Sequence, residues 1–450
     1  MLRLTLKILL FFALGISSIK GFGQDRNSLQ DSALKVIPPV WDLASCLQYA
    51  KINNLQIRGL VLDKKSAVED QLQAKSALLP NLYGTASQSF NHYNVTQTTG
   101  SNAINTSGSY GLNSSWTLYK GGYLKTDIKQ KELSVQSAGL SVLETENDIT
   151  LQITQAYLSI LVDKESIVYN QDLVKTSEAQ LAQSRNRFKV GSAAQKEVVQ
   201  FEAQLATDNY NLTASQNAER QDKITLKQLL QLPDSRDFDI VKPDTLIAES
   251  NIPDLETVQQ YALKNRPEVK NAELGIQISD LNLSKAKSGY LPTLTLGAGI
   301  GSNYANDPNY NVFKQLDNNF NQQAGLTLSV PIFTNRLNKT NVAKARINLE
   351  QSRLNLENTR TTLALTTEKA LISAQNSKNQ LLSATEQLKY STEIYRIANQ
   401  ELKIGAANIV DFYQQRNLYV QAMQAYIQAK YNALLAAKIY EFYLGTPIKL

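Results

Sequence analysis

"RFKVGSAAQKEVVQFEAQL", Arg187 to Leu205, carries a glycine, Gly191, in the middle of what otherwise reads as continuous helix. The same shape returns in "ELKIGAANIVDFYQQRNLY", Glu401 to Tyr419, where Gly405 stands 214 positions after Gly191. A glycine tolerated inside one unbroken helix costs only about 1 kcal/mol, so a single occurrence decides little. Glycine also adopts the left-handed conformation that ends a helix, with the preceding apolar residue, Val190 or Ile404, able to pack under the turn. Two occurrences with matched flanks favour the second reading: each glycine marks the reversal of a long helix.

Working outward from the two glycines uncovers an internal repeat. "QYAKINN" (Gln48 to Asn54) returns as "QYALKNR" (Gln260 to Arg266), and "AKSALLPNL" (Ala74 to Leu82) as "AKSGYLPTL" (Ala286 to Leu294). "SWTLYKGG" pairs with "SVPIFTNR", and the copies close on "LLQLP" (Leu229 to Pro233) and "YLGTP" (Tyr443 to Pro447). The reading divides the chain into repeat 1 over 41–233, a proline-bearing linker over 234–255 and repeat 2 over 256–450. Each repeat runs helix, two strands, long helix, tip, long helix. The strands are expected at about 82–95 and 107–119, then at about 293–304 and 320–333. The tips are expected near 190–192 and 404–406.

Ile153, Ile160, Ile167, Val174, Leu181 and Phe188 recur at every seventh position, beside a mostly small or polar column of Ile149, Ala156, Asp163, Asn170, Ser177 and Ser184. That is a coiled-coil seam with one large and one small side. The proline-free run from Leu124 to Phe188 predicts a helix on the order of 100 Å long. Repeat 2 keeps the seam at Leu381, Leu388, Tyr395 and Leu402.

The strands alternate. Tyr110, Leu112, Trp116 and Leu118 share one face of the second strand, Leu294, Leu296 and Ile300 one face of the third, and Leu326, Leu328 and Val330 one face of the fourth. Gly, Ser, Thr and Asn fill the opposite faces. The pattern suits strands with lipid outside and water inside, or a half-buried sheet; the lack of charge on the polar faces favours lipid. The first strand, "LYGTASQSFNHYNV", alternates poorly. Four strands cannot close a barrel, and an open edge in lipid would leave backbone groups unpaired. Three chains would supply twelve strands; the sequence alone does not separate three chains from two or four.

The opening, residues 1–23, reads as a signal peptide with Arg3 and Lys7 ahead of an apolar core, and 24–40 as an extended segment. No later apolar run is long enough for a membrane helix. The net charge of +6 falls by three when Arg3, Lys7 and Lys20 are removed, and no basic block points to nucleic acid. Cys46 cannot form an internal disulfide. It sits in "LASC", which resembles a lipid-attachment box, but lies well past Gly23 in an amphipathic stretch and reads as a buried helix cysteine. With one His (His92), no phosphate loop and no nucleophile motif, nothing points to an enzyme, a metal site or a cofactor.

The duplicated order, the "LLPNL"/"YLPTL" entries and the glycine tips resemble the TolC-like outer-membrane efflux protein family over nearly all of the chain from Trp41. The resemblance implies an α+β membrane protein: a homotrimer with a long antiparallel α-helical coiled-coil barrel in the periplasm and a shared twelve-stranded transmembrane β-barrel. It implies a passive exit duct in the outer membrane of a Gram-negative bacterium. Its partners would be a periplasmic adaptor, an inner-membrane pump and outer-membrane lipid, its cargo small molecules or, alternatively, a secreted protein. It places adaptor contacts at Arg187, Val190, Gly191, Ser192, Ile404, Gly405 and Ala406. An acidic aperture falls on Asp411, with Gln414 at the second aspartate position, and a latch acid on Glu197. The latch's tyrosine and arginine are absent: Leu402 and Ala407 stand there. A trimeric coiled-coil adhesin would gather its strands at one end of the chain, and an adaptor would carry a single hairpin. Neither matches the repeat.

Overall fold

A computed structural model describes residues 40–92, 104–232, 238–243, 252–305, 310–406 and 408–449. The expected signal peptide, most of the expected extended segment, the end of the first strand, parts of the linker and Ala407 lie outside the described residues.

Repeat 1 contains β1 (Val40–Trp41), α1 (Leu43–Asn53), α2 (Leu55–Ser76), β2 (Asn81–His92), β3 (Ile104–Lys120), α3 (Tyr123–Lys189) and α4 (Gln195–Leu230). After β4 (Asp239–Ile240), repeat 2 runs α5 (Leu255–Asn265), α6 (Pro267–Ser288), β5 (Thr293–Ala305), α7 (Val312–Asn318), β6 (Asn321–Ser329), α8 (Leu337–Lys403) and α9 (Ile409–Tyr443). The helices match copy for copy: α1 and α5 have 11 residues each, α2 and α6 22, α3 and α8 67, and α4 and α9 36 and 35.

Local chemistry sets the breaks. Asp42, Asn54, Asp254 and Asn408 each cap a helix with a side-chain oxygen, and Pro267 opens α6 where no helical N–H is needed. At 1.5 Å per residue α3 is on the order of 100 Å long, too long for α4 alone to cover. It packs against α4 towards the tip, where Asn170 donates to Ser215 at 2.8 Å. Towards the sheet it packs against α2, where Lys131 pairs with Asp70 at 2.7 Å. Repeat 2 uses α9 and α6 in the same way, with Arg360 on α8 pairing with Glu273 on α6 at 2.8 Å.

The heptad seam is used differently from its simple reading. Ile149, Ala156, Asn170, Ser177 and Ser184 of the small column are buried, and so are Ile153, Ile160 and Leu181 of the large one; only at the tip does the large column surface, with Phe188 45% exposed. Both columns therefore carry the contact along the helix body, and the small side chains let the helix backbones approach closely. The linker is also not merely a connection. Its β4 pairs in parallel with β1, and the Tyr157 hydroxyl donates to the Val241 carbonyl at 2.6 Å. This stitch closes the largest core, which includes Trp41, Cys46, Ile57, Ile153, Ile160, Leu226 and Leu434. Burial there pushes the Cys46 thiol up to about 12.

The sheet runs β2-β3-β5-β6, all antiparallel, so β2 and β6 are its two edges. Register sets Leu112 opposite Ile300, Trp116 opposite Leu296, Leu296 opposite Leu326 and Leu294 opposite Leu328. It also brings Leu82 and Phe90 of the poorly alternating first strand onto that apolar face, through pairing with Ser114 and Thr106. Alternation fails once: the register shifts between Thr117 and Tyr119, leaving Leu118 unpaired and seating Tyr119 opposite Leu294. Val330 lies just beyond β6.

Candidate functional site: the helical tips

Both turns close in the same way. Gly191 has φ +75° and Gly405 φ +77°. Ser192 N–H reaches Arg187 O at 2.8 Å and Gly191 N–H reaches Phe188 O at 2.9 Å; Ala406 to Glu401 and Gly405 to Leu402 repeat the pair at 2.8 and 3.2 Å. These are the two bonds of a Schellman motif, which satisfies the last carbonyls of α3 and α8. The expected packing of the preceding apolar residue does not occur. Val190 is 78% and Ile404 80% exposed, because each points away from the hairpin's return helix into solvent. Gly191, Ser192, Gly405 and Ala406 are exposed as well.

Arg187 is tied into its own tip. Its guanidinium pairs with Glu197 at 2.9 Å and reaches the Ser192 carbonyl at 3.3 Å, bracing the turn across its mouth. Asp411 and Gln414 lie exposed on α9, Asp411 in its first turn, where the helix N-terminus favours an anion. Leu402 packs instead into the tip core.

That core joins the two hairpins. Leu181, Val198, Phe201, Ala398 and Phe412 are buried together, with Tyr395 and Tyr413 against them. Phe201 lies 5.7 Å from Tyr413 and Tyr395 5.8 Å from Phe412, ring centre to ring centre. A cleft of about 20 Å³ beside it, lined by Ser184, Arg187 and Glu197 among others, has room for roughly one water.

Next to this aromatic layer lies a buried ion pair. Arg416 Nη2 on α9 is 2.6 Å from Asp208 Oδ2 on α4, and the two side chains are 1% and 2% exposed. Ser177 Oγ on α3 donates to the same carboxylate oxygen and also lies 3.3 Å from Arg416 Nη2. On its other side Tyr419 stacks on Tyr395 at 5.0 Å and meets Tyr169 at 6.1 Å. The sequence reading passed over Arg416 and Asp208. The signal was there: the 214-residue offset sets Arg416 against Glu202 and Asp208 against Ala422, two places where the repeat departs from itself in charge.

The family model described as "Outer membrane efflux protein" matches residues 46–231 and 258–446. Outer membrane protein TolC of Vibrio cholerae is 27% identical over 316 residues, 68% of this chain and 68% of its own length. Its Escherichia coli namesake is 25% identical over 322 residues, covering 68% of this chain; the matched part spans 62% of that relative. Among solved structures, the CmeC outer membrane channel of Campylobacter jejuni has the same fold, with a TM-score of 0.76 at 19% identity over 90% of this chain and 86% of that one.

Proposed function

The chain belongs to the outer membrane efflux protein family, and from that premise we propose that it is the exit duct of a tripartite efflux system. Family membership places it in the outer membrane of a Gram-negative bacterium as a passive channel rather than an enzyme. In the proposed assembly three chains join their sheets through the β2 and β6 edges into one twelve-stranded barrel. The α3–α4 and α8–α9 hairpins extend from it as a periplasmic tunnel. A periplasmic adaptor docks at Val190, Gly191, Ser192, Ile404, Gly405 and Ala406, with Arg187 bracing the first turn, and an inner-membrane pump supplies small molecules. Export of a secreted protein uses the same duct and is the second reading.

The observation that carries the proposal is the sheet. Its Leu82, Tyr110, Leu112, Trp116, Leu294, Leu296, Ile300, Leu326 and Leu328 row is apolar, its opposite face is, Tyr83 apart, mostly Gly, Ser, Thr and Asn, and both edges are open. Hydrocarbon allows such edges only when they are closed by another copy. At the other end, three copies of Asp411 around an aperture concentrate negative potential and favour cations.

The test is conductance of the purified, inserted protein in a planar bilayer, native against Asp411→Ala. Small cation-selective conductance that loses selectivity on substitution supports the duct and its acidic aperture. An inserted protein that never conducts removes the duct reading.

A further inference from the structure

We propose that the duct carries an anion site on its lumenal side, where the sheet meets the long helices. The site is built around Lys120 and receives the carboxylate, phosphate or sulfonate group of a transported small molecule. The proposal rests on the duct reading above, which makes the polar face of the sheet the aqueous one.

The register shift in β3 decides which face Lys120 joins. Tyr110, Leu112, Trp116 and Leu118 alternate, and the next residue in that rhythm is Lys120, which would stand in the apolar row. The shift between Thr117 and Tyr119 resets the phase. Tyr119 takes the place opposite Leu294, and Lys120 falls opposite Thr293, which in turn pairs with Ser329. Lys120 thus belongs to the polar row. Bulges that re-aim a side chain gather at barrel rims and beside functional sites. A cavity of about 520 Å³ opens there, lined by Lys120, Tyr123, Thr293, Ser329, Asn338 and Asn341 among others. That volume suits a small-molecule ligand.

The electrostatics of the cavity favour an anion. Lys120 Nζ lies 4.5 Å from the centre of the Tyr123 ring and Lys285 Nζ 5.7 Å from it, so two ammonium groups share one aromatic ring. Lys285 already has its counter-ion: Asp127 Oδ1 is at 2.8 Å, with Gln130 Oε1 at 3.0 Å. Lys120 is exposed and makes no ion pair among the described residues. A ring face holds an exposed ammonium weakly and leaves its N–H groups to a charged acceptor. Acids are scarce nearby: residues 118–130, 284–292 and 329–346 hold three, two and four Lys or Arg against Asp127 alone. In the proposed trimer, three copies of Lys120 share one level and their potentials add. The duct is then positive at the base of its barrel and negative at its tips.

The experiment is equilibrium binding of pyranine, a small aromatic trisulfonate, to purified full-length oligomer in nonionic detergent at low salt, read by fluorescence anisotropy. Cross-linking establishes equal assembly of each variant. Native protein is expected to bind with a Kd below about 1 mM, and Lys120→Gln at least about fivefold more weakly. Lys120→Arg and Lys125→Gln should stay within about twofold of native; Lys125 is an exposed lysine of α3 outside the cavity lining. Native protein that does not bind, or binding that Lys120→Gln leaves unchanged, overturns the site while leaving the duct standing. Equal losses in Lys120→Gln and Lys125→Gln overturn it too, since diffuse basic charge would then be the cause. In lipid nanodiscs Lys120→Cys should react with a charged, membrane-impermeant thiol reagent, whereas the buried Cys46 should not. Protection of the new thiol overturns the site and the assignment of the sheet's faces together. Native protein that is inserted in a planar bilayer and silent overturns the duct reading, and the lumenal site with it.

Discussion

Glu197 and Asp411 occupy the same position in the two repeats, yet only Glu197 has a cation: Arg187 pairs with it at 2.9 Å, while Asp411 has no ion pair among the described residues. The cause is one exchange. The repeat counterpart of Arg187 is Glu401, so the second tip keeps the acid and replaces its base with another acid. The first tip is braced and neutralised. The second presents free negative charge at the start of α9.

Glu401→Arg would recreate the first tip's pairing in the second. We expect it to neutralise Asp411 and to cut cation selectivity at least about twofold, read as the reversal potential across a salt gradient. Arg187→Ala, which leaves Glu197 unpaired, should not lower cation selectivity and should weaken the first tip by no more than about 1 kcal/mol, since that pair is partly solvated. Equal effects of the two variants would contradict the distinction.

Gly191 and Gly405 test the turns. A Cβ built at either position meets nothing within 4 Å, so only the left-handed backbone resists substitution. Gly191→Ala and Gly405→Ala should each weaken their tip by about 1–2 kcal/mol, and the asparagine variants by less, because Asn adopts this conformation more readily. Amide exchange of the flanking residues measures this. Equal losses for Ala and Asn would point to a different cause.

The helical body should show a pH response centred on Asp163. Burial, then the charges of Asp222 and Glu219, raise its carboxyl from the usual value to about 7. Between pH 4 and 7 the native chain holds a proton that the unfolded chain has released, so stability falls as pH rises through that window and the penalty is complete above 7. Partial burial reduces the effect to about 2 kcal/mol. Asp163→Asn should flatten the slope and raise the melting temperature at pH 8 but not at pH 4. A slope that persists unchanged in the variant would exclude Asp163 as its source.

In the proposed barrel the two faces of β3 respond oppositely to charge. Leu112→Arg places a cation towards hydrocarbon and should cost roughly 2–4 kcal/mol at mid-membrane depth, whereas Ser109→Arg faces the aqueous side and should insert normally. The yield of inserted, heat-resistant oligomer compares them. Equal yields would remove the assignment of the faces.

Much of the fold was legible because its signals are local and periodic. The seven-residue seam announced α3, the two-residue alternation announced β3, β5 and β6, and the matched glycines announced the turns. Where the reading fell short, the deciding information lay in another element. Leu82 and Phe90 looked irregular within β2 and joined the apolar face only through pairing with β3. Leu118 fitted the alternation, but the register shift displaced it in favour of Tyr119. Val190 and Ile404 sat where an apolar residue can cover a helix end, yet the hairpins left them in solvent.

The sequence by itself determined the duplication, the order of helices and strands and the places where the chain reverses, because backbone conformation and side-chain period are properties of neighbouring residues. Tertiary structure alone decided which charges matter. On α9, Arg416 reads as one more cation on a long helix; it becomes a buried anchor only because packing brings it to Asp208, 208 residues away. A charge acquires its role from the partner that replaces its water, and that partner lies on another element of the fold.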